Sequence, residues 1–486
     1  MRSAKNKKNI MERKALEKIK KHPIIRVPAR ASVWYIATSA LQRSVSVLGT
    51  PIFTRLLTAE EYGLFPLYNT WLGVITVIAT LEITGSITLR GLQKHEKEKD
   101  EYISSSLGLI STVFLLVVGL YIPFRTTVNR ITGLNTFITS VMFLQILMNA
   151  VINLYTQACK YEYKYKTVAA LNIFSALGIP FISIAIIFLT SYRSEARIFA
   201  ALAVSAIIAI PLVIGMLSQK PKLFNKGIWL YLIKSAIPLL PHYISMTAIL
   251  RIGEIVIGRI HGTEALGKYS VALSVGMSLT VITNGLISAI SPWILRKIAS
   301  KELSKIQDLL LLSVKGLCLI CLLILSVVPE SVKIITPPEY HECFIAVYPL
   351  LLSTIPMFLS GALVTGQMFY EKSAGSSIPS FTAALISAGL SLFILPHVDY
   401  RFLSLFVLSS YITLFFLNSL LFKRLSGEYP IDIRKTSLIY VLCLSYSVVL
   451  LLLKDHTAAR IVLALPLIPQ LISVSLQALE EVREKT

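Results

Sequence analysis

Apolar runs of about twenty residues recur almost from one end of the chain to the other. They lie near residues 32–57, 65–89, 103–122, 134–157, 167–191, 196–217, 232–258, 268–290, 308–328, 343–367, 378–395, 401–421, 437–453 and 458–477. A helix needs about twenty such residues to cross roughly 30 Å of hydrocarbon. The charged positions sit between the runs, so a polytopic helical membrane protein is expected. The pattern predicts an all-α polytopic membrane protein of about 14 transmembrane helices. Composition agrees: 55% of the 486 residues are hydrophobic, 15% are charged, and mean hydropathy is +0.70.

Net charge is +21. In a soluble chain this would suggest nucleic acid; here the charges sit between apolar runs and act on membrane orientation and anionic lipid instead. With an even number of spans both termini share one face, and lysine plus arginine favour that face by roughly three to one. The expectation is a cell-membrane protein with both termini cytoplasmic. Residues 1–30 carry eleven of the 47 basic residues. They lack the apolar core and small-residue site of a cleaved signal peptide. Met11, Ala15, Leu16 and Ile19 can share one helical face, giving either an interfacial helix or a solvated basic tail. The five cysteines, Cys159, Cys318, Cys321, Cys343 and Cys443, lie mostly in or beside spans, so disulfides are not expected. The CxxC of Cys318 and Cys321 sits inside an apolar run and reads as packing. There is no phosphate-binding loop, metal cluster or nucleophilic triad, and no cofactor is expected.

One stretch occurs twice. A shift of 204 carries Gly49, Arg55, Glu60 and Gly63 onto Gly253, Arg259, Glu264 and Gly267, and Phe65 onto Tyr269. The shared frame is G-x5-R-x4-E-x2-G-x-[FY]. A weaker echo pairs Leu89-Arg90 with Leu295-Arg296. The copies close the first and seventh spans, six spans apart, so the halves have the same orientation and an axis along the membrane normal. The layout is two pseudo-symmetric six-helix lobes plus two extra C-terminal helices. The expected units are residues 1–30, 31–220, 221–425 and 426–486. Glu60 and Glu264 are expected to cap the helix after each turn. The second glycines allow close approach or a positive φ, and Arg55 and Arg259 are expected to pair with these glutamates.

Charges inside spans need an account, since a bare one costs several kcal/mol. Arg43 lies about 14 Å into the first span. It faces either a wet, anion-binding cavity or an ion pair with Glu82. Arg251 has Glu254 three residues on, so it is either a cavity ligand or part of a local pair. Lys315 is near enough to an interface to snorkel. Gln145, Asn149, Asn153 and Gln157 line one face of the fourth span, as interhelical glue or as a polar cavity wall. Tyr155, Asn172, Asn284 and Gln367 are weaker candidates for the same lining. Pro238 and Pro241 interrupt the seventh span beside His242, which is either a packed imidazole or a proton relay.

Thr50–Trp71, TPIFTRLLTAEEYGLFPLYNTW, resembles the first-hairpin motif of the polysaccharide-type flippases. These belong to the multidrug/oligosaccharidyl-lipid/polysaccharide exporter superfamily. The resemblance implies two six-helix lobes in a V around a cavity that opens alternately to each face. It also implies a cargo of oligosaccharide on a polyprenyl diphosphate, moved from inner to outer leaflet for capsule or other surface polysaccharide. Arg43 and Arg251 are the candidate diphosphate ligands, with Gln145, Asn149 and Asn153 for sugar hydroxyls. Glu82 and Glu254 are the candidate ion-coupling groups. Anionic lipid and other polysaccharide-assembly proteins are the further candidate partners. The multidrug branch carries an acidic cation site in its first spans. Here the first span has no carboxylate, which argues against the rival reading, a cation-coupled drug exporter. A membrane glycan polymerase or ligase needs a large outer loop, and the longest here is Pro329–Glu342. The shift of 204 takes Arg43 to Thr247, so the functional charge is expected to differ between lobes.

Overall fold

The computed structural model describes residues 23–218, 222–300, 302–369 and 377–484. The proposed interfacial face of Met11 to Ile19 lies outside them. The described chain is helical nearly throughout, and every predicted span falls on a helix or a broken pair of helices. In order these are α1 (Pro23–Leu56), α2 (Ala59–Thr80), α3 (Ser86–Lys94), α4 (Lys99–Thr132), α5 (Thr136–Tyr161), α6 (Tyr165–Leu189) and α7 (Ala196–Leu217). Then come α8 (Lys226–Ala236), α9 (Leu240–Val256), α10 (Gly262–Gly276), α11 (Thr280–Ala299), α12 (Leu303–Ile335) and α13 (Phe344–Phe369). The last five are α14 (Ser377–Gly389), α15 (Leu403–Ser426), α16 (Ile433–Leu452), α17 (Thr457–Ala464) and α18 (Leu467–Glu484).

Local chemistry sets the ends. Thr58 caps α2 with Glu61: the Glu61 N–H donates to Thr58 Oγ1 (3.2 Å) and the Thr58 N–H donates to Glu61 Oε2 (2.9 Å). Asn135, Asn225 and Asp432 accept N–H bonds at the starts of α5, α8 and α16. Gly133 and Gly427, at φ +71° and +85°, end α4 and α15.

Among the described residues eleven spans are long and apolar enough to cross a membrane. Leu240–Gly276 with Thr280–Ser288, bent by 44°, make a twelfth. The predicted spans that fall short are the first, seventh and eighth. Arg43, Gln42 and several serines dilute α1. The seventh breaks at residues 237–239, where Pro238 and Pro241 each remove a backbone donor. The eighth breaks at residues 277–279. The second span is interrupted too, between α2 and α3, where Leu81 and Glu82 take φ +49° and +50°.

The repeat is visible in the packing. In the first half α1 packs on α6, α5 on α7, α6 on α7 and α4 on α5. In the second half the same roles fall to α9 on α14, α13 on α15, α14 on α15 and α12 on α13. The extra helices α16 to α18 lie against α12. Across the halves α2 meets α9 and α10, and α1 meets α10 and α11. The helices that depart from simple apolar spans are thus the ones that face each other. One element crosses over. Ile228, Leu232 and Ala236 of α8 are buried with Ile83, Ile87, Tyr102 and Leu154 of the first half, while α9 packs on α14. The break at residues 237–239 therefore joins a helix held by one half to a helix held by the other.

Candidate functional site

The two copies of the repeated hairpin touch each other. Gly63 of α2 and Gly267 of α10 lie at a crossing so close that a Cβ on Gly63 would sit 1.9 Å from the Thr263 carbonyl oxygen. One on Gly267 would sit 2.6 Å from that of Ala59. Thr263 is Ala59 shifted by 204, so the contact is reciprocal. The glycines serve close approach, not positive φ. Gly253 has a separate packing role, its missing Cβ making room for Leu403, and a Cβ on Gly49 would meet Phe53 at ordinary contact distance.

The arginines do not pair with the motif glutamates. Arg55 donates to the carbonyls of Ile334 (2.8 Å) and Ile335 (3.2 Å), at the end of α12 in the opposite half. Arg259 donates to the Arg130 carbonyl (2.5 Å), in the last turn of α4. Arg130 shifted by 204 is Ile334, so this exchange also obeys the repeat. Last-turn carbonyls lack helical partners and carry the negative end of the helix dipole, which suits a guanidinium. Glu264 pairs with Lys268 instead (2.6 Å). The capping role expected of Glu60 belongs to Glu61, one residue on. In the second hairpin a left-handed glycine, Gly262 at φ +89°, stands where Thr58 stands in the first.

Deeper between the halves lie the charges. Arg43 is 12 residues from Arg55, about 18 Å along α1. Its Nη2 donates to the Ser274 carbonyl of α10 at 3.5 Å, the outer limit of a hydrogen bond. Its Nε is buried with no partner. The alternative pair with Glu82 does not form; Glu82 sits in the break after α2, and no carboxylate among the described residues pairs with Arg43. Arg251 does form the local pair: Nη1 is 2.7 Å from Glu254 Oε2. Glu254 is 3% exposed and also accepts the Thr70 hydroxyl of α2, so it spans the two halves. Arg251 lies against Gly73 of α2. Thr70 and Ser274 are themselves related by the shift of 204. Each half thus engages the other at the same height, with a paired charge on one side and an unbalanced one on the other.

The amide face of α5 is mostly occupied inside the first half. Gln145 Oε1 accepts from the Tyr68 hydroxyl (2.5 Å) and Asn149 Oδ1 from Ser205 (3.0 Å). Asn153 is exposed, and Gln157 keeps a buried oxygen without a partner. Gln367 donates to Asn418 of α15, and His242 Nδ1 is 2.9 Å from Ser380 Oγ. Two further cations lie within the bundle without a distinguishing signal in the sequence. Arg460 of α17 is fully buried against Glu330. Arg197 lies over the ring of Phe65 at 4.0 Å and beside Phe53 and Tyr62. Both stand at helix ends beside loops, where a basic residue ordinarily reads as interfacial. All five cysteines are buried thiols.

The family described as polysaccharide biosynthesis protein matches residues 29–298, more than half of the chain. The chain belongs to this family. Among solved structures, the family member shares its fold with "Lipid II flippase MurJ, inward closed conformation" (12% identity, 91% of this chain and 99% of that one, TM-score 0.64). It also resembles an inward-facing multidrug resistance MATE family transporter of the MOP superfamily (11% identity, 79% and 94%, TM-score 0.61). An outward-facing conformation of such a transporter is similar too (12% identity, 84% and 97%, TM-score 0.55). These likenesses speak to the fold. No curated protein matches the chain in sequence.

Proposed function

We propose that this polysaccharide biosynthesis protein is an alternating-access flippase rather than an enzyme. Its cargo on this reading is an oligosaccharide on a polyprenyl diphosphate, carried from the inner to the outer leaflet for capsule or other surface polysaccharide. The observation that carries the reading is the state of Arg43: a cation between the halves, with a buried unpartnered Nε and a single long hydrogen bond. A diphosphate supplies the charge and the bidentate oxygens that this guanidinium lacks. Arg251 is the second ligand, reached when Glu254 gives up its pair. That exchange makes Glu254 the leading coupling carboxylate and leaves Glu82 the lesser candidate. Gln145 and Asn149 are engaged in packing, so Asn153 is the member of the amide face best placed for sugar.

The basic loops put their face in the cytoplasm. The hairpin face is then the outer one, and it is closed by the Gly63–Gly267 crossing and the exchanged arginines. By sequence the lobes are residues 31–220 and 221–425, with 426–486 as an accessory unit; because α8 packs on the first lobe, the break at residues 237–239 serves as the hinge between the two packed bodies. The test is Arg43→Ala. Surface polymer export is expected to fall at least tenfold while the protein inserts at normal abundance. Normal export by that variant would sink the proposal. Drug-resistance assays in a susceptible host address the multidrug alternative, which Glu254, a buried carboxylate between the halves, keeps specific.

A further inference from the structure

A separate cavity, mainly apolar with a few polar groups in its walls, lies inside the second half between α9, α11, α13 and α15, with a volume of about 230 Å³. At about 30 Å³ per water it has room for seven or eight waters, the bulk of a single pyranose ring. Its walls carry His242, Asn284, Ser360, Tyr411 and Asn418, with Phe358 and methionines between them. Ser360 is 3% exposed, and its Oγ has no hydrogen-bond partner. A buried hydroxyl left unpaired is disfavoured, and this one lines the cavity. Asn418 accepts from Gln367 through Oδ1, which leaves its amide N–H groups without a protein partner. Among the described residues the Tyr411 hydroxyl, the Asn284 amide and the second ring nitrogen of His242 are likewise unengaged.

These groups mix donors with acceptors. Among the described residues no carboxylate lines the space. A bound cation would need converging oxygens and negative charge, and would meet N–H and O–H donors instead. A sugar hydroxyl both donates and accepts, and the C–H face of the ring suits Phe358 and the methionines. His242 stands nine residues before Arg251 on α9, about 13 Å along the same helix.

We infer that this cavity is a subsite for one neutral sugar ring of the cargo, recognised by Ser360, Tyr411, Asn418, Asn284 and His242. The assignment rests on the flippase reading and gives that cargo a specificity pocket separate from its diphosphate site.

The test uses the full chain in lipid nanodiscs. Affinity is measured for undecaprenyl diphosphate and for the same lipid bearing one neutral hexose or one N-acetylhexosamine. At least one sugar is expected to tighten binding. Ser360→Ala should cut that gain about fivefold, the worth of one hydrogen bond. Ser360→Leu, which fills the space, should abolish it. Both should leave the bare lipid bound as before, which also reports that they are folded. Binding of the bare lipid with no sugar gain, or a gain that survives Ser360→Leu, overturns the cavity assignment alone. So does a Ser360→Leu effect seen only on sodium or proton dependence. Failure of the bare lipid to bind overturns the flippase reading and this subsite with it.

Discussion

Arg460 and Arg43 are both arginines within the bundle, and their surroundings are opposite. Arg460 Nε donates to the Leu453 carbonyl (3.1 Å), Nη1 to Ser326 O (2.7 Å) and Glu330 Oε2 (2.9 Å), and Nη2 to Glu330 Oε1 and the Thr457 hydroxyl (3.4 Å). All five N–H groups are satisfied within the chain. Such a residue holds structure: Arg460→Met should lower stability by about 3 kcal/mol, because Glu330 loses its partner. That loss is to be read as an earlier thermal unfolding in detergent, with transport per folded molecule unchanged. Arg43→Ala should do the reverse, leaving the melting temperature in place while transport falls. The sequence marked Arg43 because depth in a span is legible from spacing. It did not mark Arg460, because three residues past a loop a basic side chain looks interfacial until Glu330 arrives from 130 positions away. Nor did it separate the two readings of Arg251, since a partner at i+3 can either neutralise a ligand or hold it ready.

At the scale of the element, the repeated hairpin was legible as a repeat and as a turn, but not as a contact between its own two copies. A frame of spaced identities says that two segments are built alike; only the fold says that they meet. Gly63→Ala and Gly267→Ala each put a methyl into opposing backbone and should hold the hairpin ends apart. Paired spin labels on the two hairpins should then report a longer distance, whereas Gly119→Ala, whose Cβ would meet nothing within 4 Å, should leave it unchanged. The short turn between α11 and α12 carries a different device. Glu302 lies between Lys305 and Lys297, and their hydrogen bonds pull its pKa down to about 2. A depressed carboxylate contributes stability that is complete above its unfolded value, near 4.3, and is lost as pH falls through the folded one. The melting temperature of the native chain should therefore drop between about pH 5 and pH 2 by more than that of Glu302→Gln. Broken spans were the other gap in the reading. Pro238 and Pro241 announced the interruption in the seventh span, but the break after Gly276 has no proline and came only from the fold.

Across the whole molecule, the polytopic helical plan was readable because hydropathy and an even repeat survive without any knowledge of contacts, while of the fourteen expected spans eleven or twelve are long and apolar enough to cross a membrane among the described residues. The path of α8 was not, since nothing local says that a helix will pack on the half it has just left. The outcome is a body whose halves are joined at the hairpin face by reciprocal contacts and at the other by a shared helix. The reciprocity has a consequence for how such a chain arises. Arg55 fits the end of α12 while Arg259 fits the end of α4, and each glycine fits the other's helix. A single six-helix chain would already hold both sides of every one of these contacts. Two copies of it, related by a twofold axis along the membrane normal, would close on each other with no new residue. A duplicated chain would keep that dimer's fastening while leaving positions such as Arg43 and Thr247 free to differ.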